Sequence, residues 1–138
     1  MPKRKRLLLV LFLCLFCFAV LAGCKGKNAK VEGEALDFTV LSKEDIPEEL
    51  QKVIEEHKTQ EITMSYQAGD ALYIVRGYGQ QETGGYSISV EACVLADDGI
   101  HVLFQLHGPA ADETIVKEPS WPCVVLKLPY REGEIFFD

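Results

Sequence analysis

The sequence predicts an α+β domain over residues 36–138, built as a mainly antiparallel β-sheet or flattened barrel with one packed α-helix. Three patterns predict this class. Residues 46–57 repeat apolar side chains with the period of a helix, whereas apolar and polar residues mostly alternate from Glu61 onward, as in half-buried strands. The turn sequences AGD at 68–70, DDG at 97–99 and REG at 131–133 are typical of β-hairpins. One helix beside several strands favours a sheet with the helix on one face.

The first elements of the predicted domain are a short strand and the helix. In LDFTVL, residues 36–41, apolar and polar side chains alternate, which predicts a strand. Asp45 and Glu48 are spaced as in a capping box, with Pro47 in the first turn, and they predict a helix that continues to about Lys58. The apolar positions share one helical face, which we expect to pack on the sheet; they are Ile46, Leu50, Val53, Ile54 and His57.

The second half of the chain predicts a sheet with its two longest connections at one end. The predicted strands cover residues 61–67, 71–77, 86–95, 100–107, 122–128 and 134–137. If successive strands alternate in direction, the connections at 78–85 and 108–121 meet at the same end of the sheet. Long loops held by a rigid sheet often carry binding residues. We therefore expect a partner-binding edge formed by Tyr78, Thr83, Gly84, Gly85 and Trp121, with Tyr86 as its inner support.

Each residue of this predicted edge has a specific expectation. Gly84 and Gly85 are expected to adopt positive φ and to present successive N–H groups to an acceptor. Tyr86 is expected to continue a buried face shared by Ile88, Val90, Ala92 and Val94. Trp121 either anchors a partner or holds its own loop against the sheet.

The N-terminal residues predict export and lipid anchoring. A basic start at Lys3–Arg6 precedes an uncharged apolar run at 7–21, which indicates a signal peptide over residues 1–23. LAGC, ending at Cys24, resembles the bacterial lipoprotein box. The resemblance implies lipidation of Cys24 and an outward-facing protein held to the bacterial cell membrane by buried acyl chains. Residues 24–35 are small and polar and predict a flexible tether.

The charge balance of the processed chain argues against nucleic acid as a partner. Cleavage before Cys24 leaves 115 of the 138 residues. It removes four of the fourteen Lys and Arg and none of the 21 Asp and Glu, so the remaining formal charge is −11. A strongly acidic protein repels nucleic acid. The remaining length is sufficient for one modest hydrophobic core.

Few residues indicate covalent or catalytic chemistry. After processing, Cys93 and Cys123 are the remaining thiols, and they either form a disulfide or are both buried. The chain has no HExxH, GxSxG, P-loop or GxGxxG motif, and its three histidines are not spaced like zinc ligands. We therefore expect no catalytic residues, no metal site and no cofactor.

Residues from about 71 to 128 resemble the C-terminal domain of the protease complex subunit PrcB family. The resemblance rests on ALYIVRGYGQQETGGYSISV, an acidic hairpin turn, HVLFQLHGP and SWPCVVLKL. Its distinctive features are Gly77 or Gly79 at a strand end, the Thr83–Tyr86 cluster, Pro109 and Pro122. It implies a small noncatalytic exported domain, in some members a lipoprotein, that associates with a surface protease.

A second resemblance implies a different activity at the same loops. ETGGY at 82–86 and the Pro-flanked Trp121 are similar to the binding loops of chagasin-type cysteine protease inhibitors. This chain has SWP at 120–122, without the basic residue that precedes the Pro-Trp pair in those inhibitors. The alternative implied function is protease inhibition.

Overall fold

A computed structural model describes residues 31–112 and 114–138, which form one compact unit. The predicted signal peptide and Cys24 lie outside the described residues. The elements in chain order are β1 (Glu34–Ala35), β2 (Thr39–Val40), a 3-10 turn (Lys43–Asp45), α1 (Glu48–His57), β3 (Glu61–Ala68), β4 (Ala71–Tyr78), β5 (Ser87–Ala96), β6 (Gly99–His107), β7 (Cys123–Pro129) and β8 (Glu134–Phe137). No helix in this part of the chain is long and apolar enough to span a membrane.

The described strands form two four-stranded sheets instead of one flattened barrel. Sheet 1 has the order β1-β5-β6-β8 and sheet 2 has the order β2-β7-β4-β3. Every neighbouring pair is antiparallel except β6 and β8, which are parallel. The broad α+β class is confirmed. The flattened barrel is wrong for the described residues, because the strands do not close on themselves.

Two hydrophobic clusters hold three layers together. The first lies between the two sheets and includes the fully buried Ile74, Ile100, Val102 and Leu126. The second lies on the other side of sheet 2, where Leu50 of α1 is 1% exposed and packs with Ile62, Tyr73, Val75 and Val125. Sheet 2 therefore buries apolar side chains on both of its faces, as the near-continuous apolar run of β4 requires.

The REG hairpin predicted at residues 131–133 is wrong. β7 belongs to sheet 2, whereas β8 crosses to sheet 1 and pairs parallel with β6, with Ile100 opposite Ile135 and Val102 opposite Phe137. The crossing lets Ile135 and Phe137 pack against the cluster between the sheets. Burial of these side chains explains why the chain leaves sheet 2.

The predicted capping box does not start the helix. Helix α1 begins at Glu48 with Pro47 as its N-cap, and no side chain caps it. Asp45 instead ends the 3-10 turn, and its carboxylate accepts a hydrogen bond from the Ser42 hydroxyl at 2.7 Å. Ile46 is extended at φ −76° and ψ 132°, because a residue that precedes proline is disfavoured in the helical region.

A β-bulge changes which residues of β5 face the core. The pairing of β5 with β6 shifts between Val90 and Ala92, so Glu91 has no direct partner. An extra residue moves every later side chain to the opposite face. Ile88 and Val90 pack on the core before the bulge, as expected, but Cys93 and Leu95 replace the predicted Ala92 and Val94 after it.

The segment LDFTVL does not form the single predicted strand, because it crosses from one sheet to the other. Glu34 and Ala35 of β1 pair with β5, so the last residues of the predicted tether belong to the sheet. Buried Leu36 donates its N–H to Cys93 O at 2.9 Å, whereas Leu41 donates its N–H to Val125 O at 2.9 Å. The segment therefore joins the edges of the two sheets.

Cys93 and Cys123 are both free thiols in the structure. Cys93 belongs to the cluster between the sheets, whereas Cys123 packs at the border of the cluster beneath α1. Burial raises the pKa of Cys93 and raises the pKa of Cys123 to about 11. The structure thus contains no disulfide between these two residues; Cys93 is buried, as one alternative expects of both, whereas Cys123 is half-buried.

Candidate functional site

The two long connections meet at one end of the domain, as the strand directions predict. We call residues 79–86, 108–112 and 114–122 together the two-loop edge. Gln81 and Ser120 form an antiparallel bridge, in which Gln81 donates its N–H to Ser120 O at 2.8 Å and Ser120 donates its N–H to Gln81 O at 3.1 Å. The Ser120 hydroxyl donates to Thr83 O at 2.6 Å. These bonds make one hydrogen-bonded surface from two separate loops.

The double glycine serves this loop contact in two different ways. Gly84 donates its N–H to Val116 O at 2.9 Å, and a Cβ at Gly84 would lie 3.4 Å from Val116 Cβ. Gly85 has φ +85°, a conformation that favours glycine. The expectation of positive φ is thus correct for Gly85 and wrong for Gly84, where a Cβ would make only ordinary van der Waals contact with Val116. The Gly84 N–H is already used within the protein.

Tyr78 precedes the first loop of the two-loop edge, and Tyr86 ends it. Tyr78 is half-buried and packs against the cluster between the sheets, and the Arg76 guanidinium lies 4.1 Å from the centre of its ring. Its backbone N–H donates to Pro122 O at 3.0 Å. Tyr86 is half-buried, and its ring lies beside Gly108 of the second loop. A Cβ added to Gly108 would be 3.7 Å from Tyr86 Cε1. Both tyrosines therefore contact the base of the two-loop edge.

The ring of Trp121 turns toward the helix. Trp121 is 39% exposed, and the Lys58 ammonium lies 4.6 Å from its ring centre. A cation over an aromatic face is attracted by the ring quadrupole. The same ring lines a cavity of about 380 Å³ between α1 and β7, together with Ile54 and Cys123. Trp121 thus connects the two-loop edge to the groove beside the helix while it remains partly accessible.

The two-loop edge contains further residues that the sequence did not single out. Ile115 is 49% exposed and Val116 is 56% exposed, and both lie in the second loop, where Val116 contacts Gly84. Gln81 and Ser120 provide the bridge between the loops. The adjacent β-branched Ile115 and Val116, with charged residues on both sides in the sequence, were the available signal, because contiguous exposed apolar surface marks interaction sites.

A serine and a histidine also meet on the outer face of sheet 1. Ser89 Oγ lies 2.8 Å from His107 Nε2, and the Ser89 hydroxyl also donates to the Glu91 carboxylate. In a catalytic triad the carboxylate orients the histidine, and the histidine accepts the serine proton. Here the carboxylate contacts the serine, so the hydroxyl proton is directed away from the histidine. The arrangement differs from that of an activated nucleophile.

A second polar cluster secures the C-terminal strand. His101 Nε2 lies 2.8 Å from Asp98 Oδ1 and its Nδ1 lies 2.8 Å from Asp138 Oδ2, and the protonated ring donates to both carboxylates. The ring also stacks on Phe136 with centres 4.5 Å apart. The bonds to Asp98 and Asp138 raise the pKa of His101, and the bond from His101 lowers the pKa of Asp98. Within residues 31–112 and 114–138, no three His, Cys, Asp or Glu side chains are grouped to hold a metal ion.

These features define a small two-sheet domain with a helix on one face and a hydrogen-bonded loop surface at one end. Residues 72–129 match the family model described as PrcB C-terminal. The matched segment extends from β4 to β7 and supports assignment of this part of the chain to the PrcB C-terminal family. No curated protein and no solved structure matches the chain. Both loops of the two-loop edge lie inside the matched segment.

Proposed function

We propose that this chain is a noncatalytic, lipid-anchored accessory subunit that binds an exported protease at the outer surface of a bacterial membrane. The observation that carries the proposal is the match of residues 72–129 to the PrcB C-terminal domain, which suggests an accessory role related to a protease complex. The partner binds at the two-loop edge.

The chemistry of the two-loop edge supports a protein partner. Exposed apolar side chains contribute favourable burial when a partner covers them, and tryptophan is enriched among residues that dominate binding. Ile115, Val116 and Trp121 supply such side chains. The bridge between Gln81 and Ser120 holds the loops before binding, so less conformational entropy is lost on association.

A noncatalytic role is supported by the state of the polar groups. His101 uses both ring nitrogens to hold Asp98 and Asp138. Burial keeps Cys93 and Cys123 as protonated thiols, which are weak nucleophiles. The Ser89 hydroxyl is directed toward Glu91. These groups act in packing and hydrogen bonding.

The anchor is supported by the sequence that precedes the described residues. A basic start, an uncharged apolar run and LAGC at 21–24 are the expected order for a lipoprotein signal. Lipidation of Cys24 places the domain beside a membrane-bound protease, and confinement to one surface raises the effective concentration of each partner.

The proposal is tested by crosslinking in intact membranes, followed by recovery of the tagged chain and identification of the attached protein. We expect an exported protease to be recovered with the unmodified chain. Val116→Asp and Thr83→Arg should strongly reduce its recovery, because they add charge to the two-loop edge. Val40→Asp is the matched control, since Val40 is 55% exposed and Val116 is 56% exposed. Protection of Cys93 from alkylation shows that each variant is folded.

Two results would contradict this assignment. Full recovery of the protease with folded Val116→Asp and Thr83→Arg variants would place the contact elsewhere. Recovery that falls equally with Val40→Asp would remove any special role of the two-loop edge.

The alternative function is protease inhibition through the same edge. The observation that favours it is the bridge between the ETGGY loop and the loop before Trp121, since the inhibitor resemblance places both loops at one surface. Hydrolysis of a peptide substrate by the recovered protease separates the two functions. An inhibitor lowers hydrolysis when the chain is added, whereas an accessory subunit leaves it unchanged or raises it.

A further inference from the structure

Sheet 2 ends in a long strand that is paired on one side only. β3 has eight residues, whereas the other edge strands of the described sheets, β1, β2 and β8, have two, two and four. β3 pairs with β4 without a register shift and contains no proline. Natural proteins usually shorten, charge or bend exposed edge strands, because these strands readily pair with another chain. β3 lacks those protections over most of its length.

The open backbone groups of β3 follow from its hairpin turn. Gly69 has φ +57° in the two-residue turn that separates Ala68 from Ala71, so these two alanines form a hydrogen-bonded pair. Alternation along the ladder then directs the N–H and C=O groups of Thr63, Ser65 and Gln67 toward the open edge. Tyr78 agrees with this alternation, because it lies opposite Glu61 and donates its N–H away from β3, to Pro122 O at 3.0 Å.

The side chains of β3 suit contact with an identical strand. Ile62, Met64 and Tyr66 belong to the apolar cluster on the helix side, whereas Thr63 and Ser65 are exposed on the other face. Glu61 is the one charged residue of the strand. Residues 31–138 contain seven Lys and Arg against 21 Asp and Glu, so most surfaces of two copies repel each other. The β3 edge is a site where two copies can approach without opposing like charges.

We propose that β3 pairs antiparallel with β3 of a second copy, about a twofold axis at Met64. In this register Ile62 lies opposite Tyr66 of the second copy, so two apolar side chains are paired. Thr63 lies opposite Ser65 of the second copy, so two polar side chains are paired. Glu61 lies opposite Gln67, which avoids like-charge repulsion. The open N–H and C=O groups of Thr63 and Ser65 exchange hydrogen bonds across the axis. Sheet 2 of one copy and sheet 2 of the other, with four strands each, then form one continuous sheet of eight strands.

The pairing uses no residue of the two-loop edge, so it is independent of the protease partner. An isologous twofold interface is the commonest arrangement of soluble dimers, and it requires a self-complementary surface. The uncharged central part of β3 provides that surface from a single segment.

The register is tested by disulfide crosslinking of the full chain in membranes. In the proposed register the two Met64 residues form a non-hydrogen-bonded pair, whose Cα atoms are about 4.5 Å apart, within the range that a disulfide spans. Met64→Cys should therefore give a dimer on a non-reducing gel after mild oxidation. Gln67→Cys is the matched control on the same open edge. In this register each Gln67 lies opposite Glu61 of the other copy, so the two introduced thiols are too far apart to form a disulfide. The unmodified chain, which keeps the thiols of Cys93 and Cys123 after processing, reports the background.

A second change removes the pairing while keeping the crosslinking residue. Ser65→Pro in the Met64→Cys chain deletes an N–H at the open edge, where proline is tolerated in edge strands. The dimer band should be lost while Cys93 stays protected from alkylation. Where proline exposes Cys93, the double change Thr63→Lys and Ser65→Lys serves instead, since it places lysines opposite one another on an exposed face.

Three results would overturn the proposal. Dimer formation by Met64→Cys that does not exceed that of Gln67→Cys would exclude the register. Persistence of the dimer band in a folded Ser65→Pro or double-lysine variant would exclude backbone pairing at this edge. Crosslinking of Met64→Cys only to a different polypeptide would assign the edge to another partner.

Discussion

Gln81 and Ser120 exchange both backbone hydrogen bonds and so join two loops that are 39 positions apart in the chain. The Ser120 hydroxyl adds a third bond, to Thr83 O. The three bonds place both loops in one surface before any partner binds.

Removal of the side-chain bond should loosen the two-loop edge without unfolding the domain. We expect Ser120→Ala to lower the free energy of unfolding by about 1 kcal/mol, the usual net value of one hydrogen bond. Urea unfolding measures this loss, and hydrogen exchange should become faster at the Gln81 and Gly84 amides. Ser87→Ala, an exposed change at the start of β5, is the control. Equal effects of the two changes would contradict the role of Ser120.

The adjacent glycines should respond differently to alanine. Gly85 has φ +85°, and a left-handed conformation costs a residue with a Cβ about 1 kcal/mol or more. Gly84→Ala needs only a small adjustment at Val116, because its new Cβ lies at 3.4 Å. We therefore expect a larger loss of melting temperature for Gly85→Ala. A larger loss of melting temperature for Gly84→Ala would contradict this expectation. It would show that the contact between Gly84 and Val116 matters more for stability than the positive φ of Gly85.

The cluster around His101 should make stability depend on pH in a defined direction. The pKa of folded His101 is raised, so its contribution is complete below the unfolded value of about 6.5 and is lost as pH rises through the folded value. The pKa of folded Asp98 is lowered, so its contribution is present above about 3.9 and is lost as pH falls through the folded value.

We expect the stability difference between the unmodified protein and His101→Gln to be largest between about pH 4 and pH 6.5. Melting temperatures measured across this range and on to above about pH 8, with His107→Gln as the control, test the expectation. A difference that grows above pH 8 would contradict it.

The two described thiols should react slowly with alkylating reagents. Thiolate is the reactive form, and burial raises the pKa of Cys93 and raises that of Cys123 to about 11. Peptide mapping by mass spectrometry, after timed alkylation of native and urea-unfolded protein, measures each site separately. Native rates as fast as the unfolded rates would show that these cysteines are accessible.

Lipidation is predicted at Cys24, outside the described residues. We expect a palmitate analogue to label the unmodified chain and to be absent from Cys24→Ala, because the thioether forms on that sulfur. Cys17→Ala should retain the label, since residue 17 lies inside the predicted signal peptide. Equal labelling of the unmodified chain and Cys24→Ala would exclude the anchor.

Local chemistry made much of the fold predictable from the sequence. Alternation located β3 to β8 within one or two residues, and the AGD and DDG turns identified their hairpins, because side-chain period and turn conformation depend on neighbouring residues. The assumption that successive strands alternate in direction also placed the two long loops at one end of the domain. The resemblance to the PrcB C-terminal domain came from residues that the family match includes.

The tertiary structure decided what local patterns leave open. The bulge at Glu91, the division of LDFTVL between two sheets and the parallel pairing of β8 each depend on which distant strand offers a partner and a core face. Gly84 does not have the positive φ expected from the sequence, and its N–H instead donates to Val116 O of the second loop. Trp121 turned toward Lys58 because the end of α1 lies beside it. Sequence period specifies the face of an isolated strand, whereas packing between strands decides which faces are buried and which loops meet.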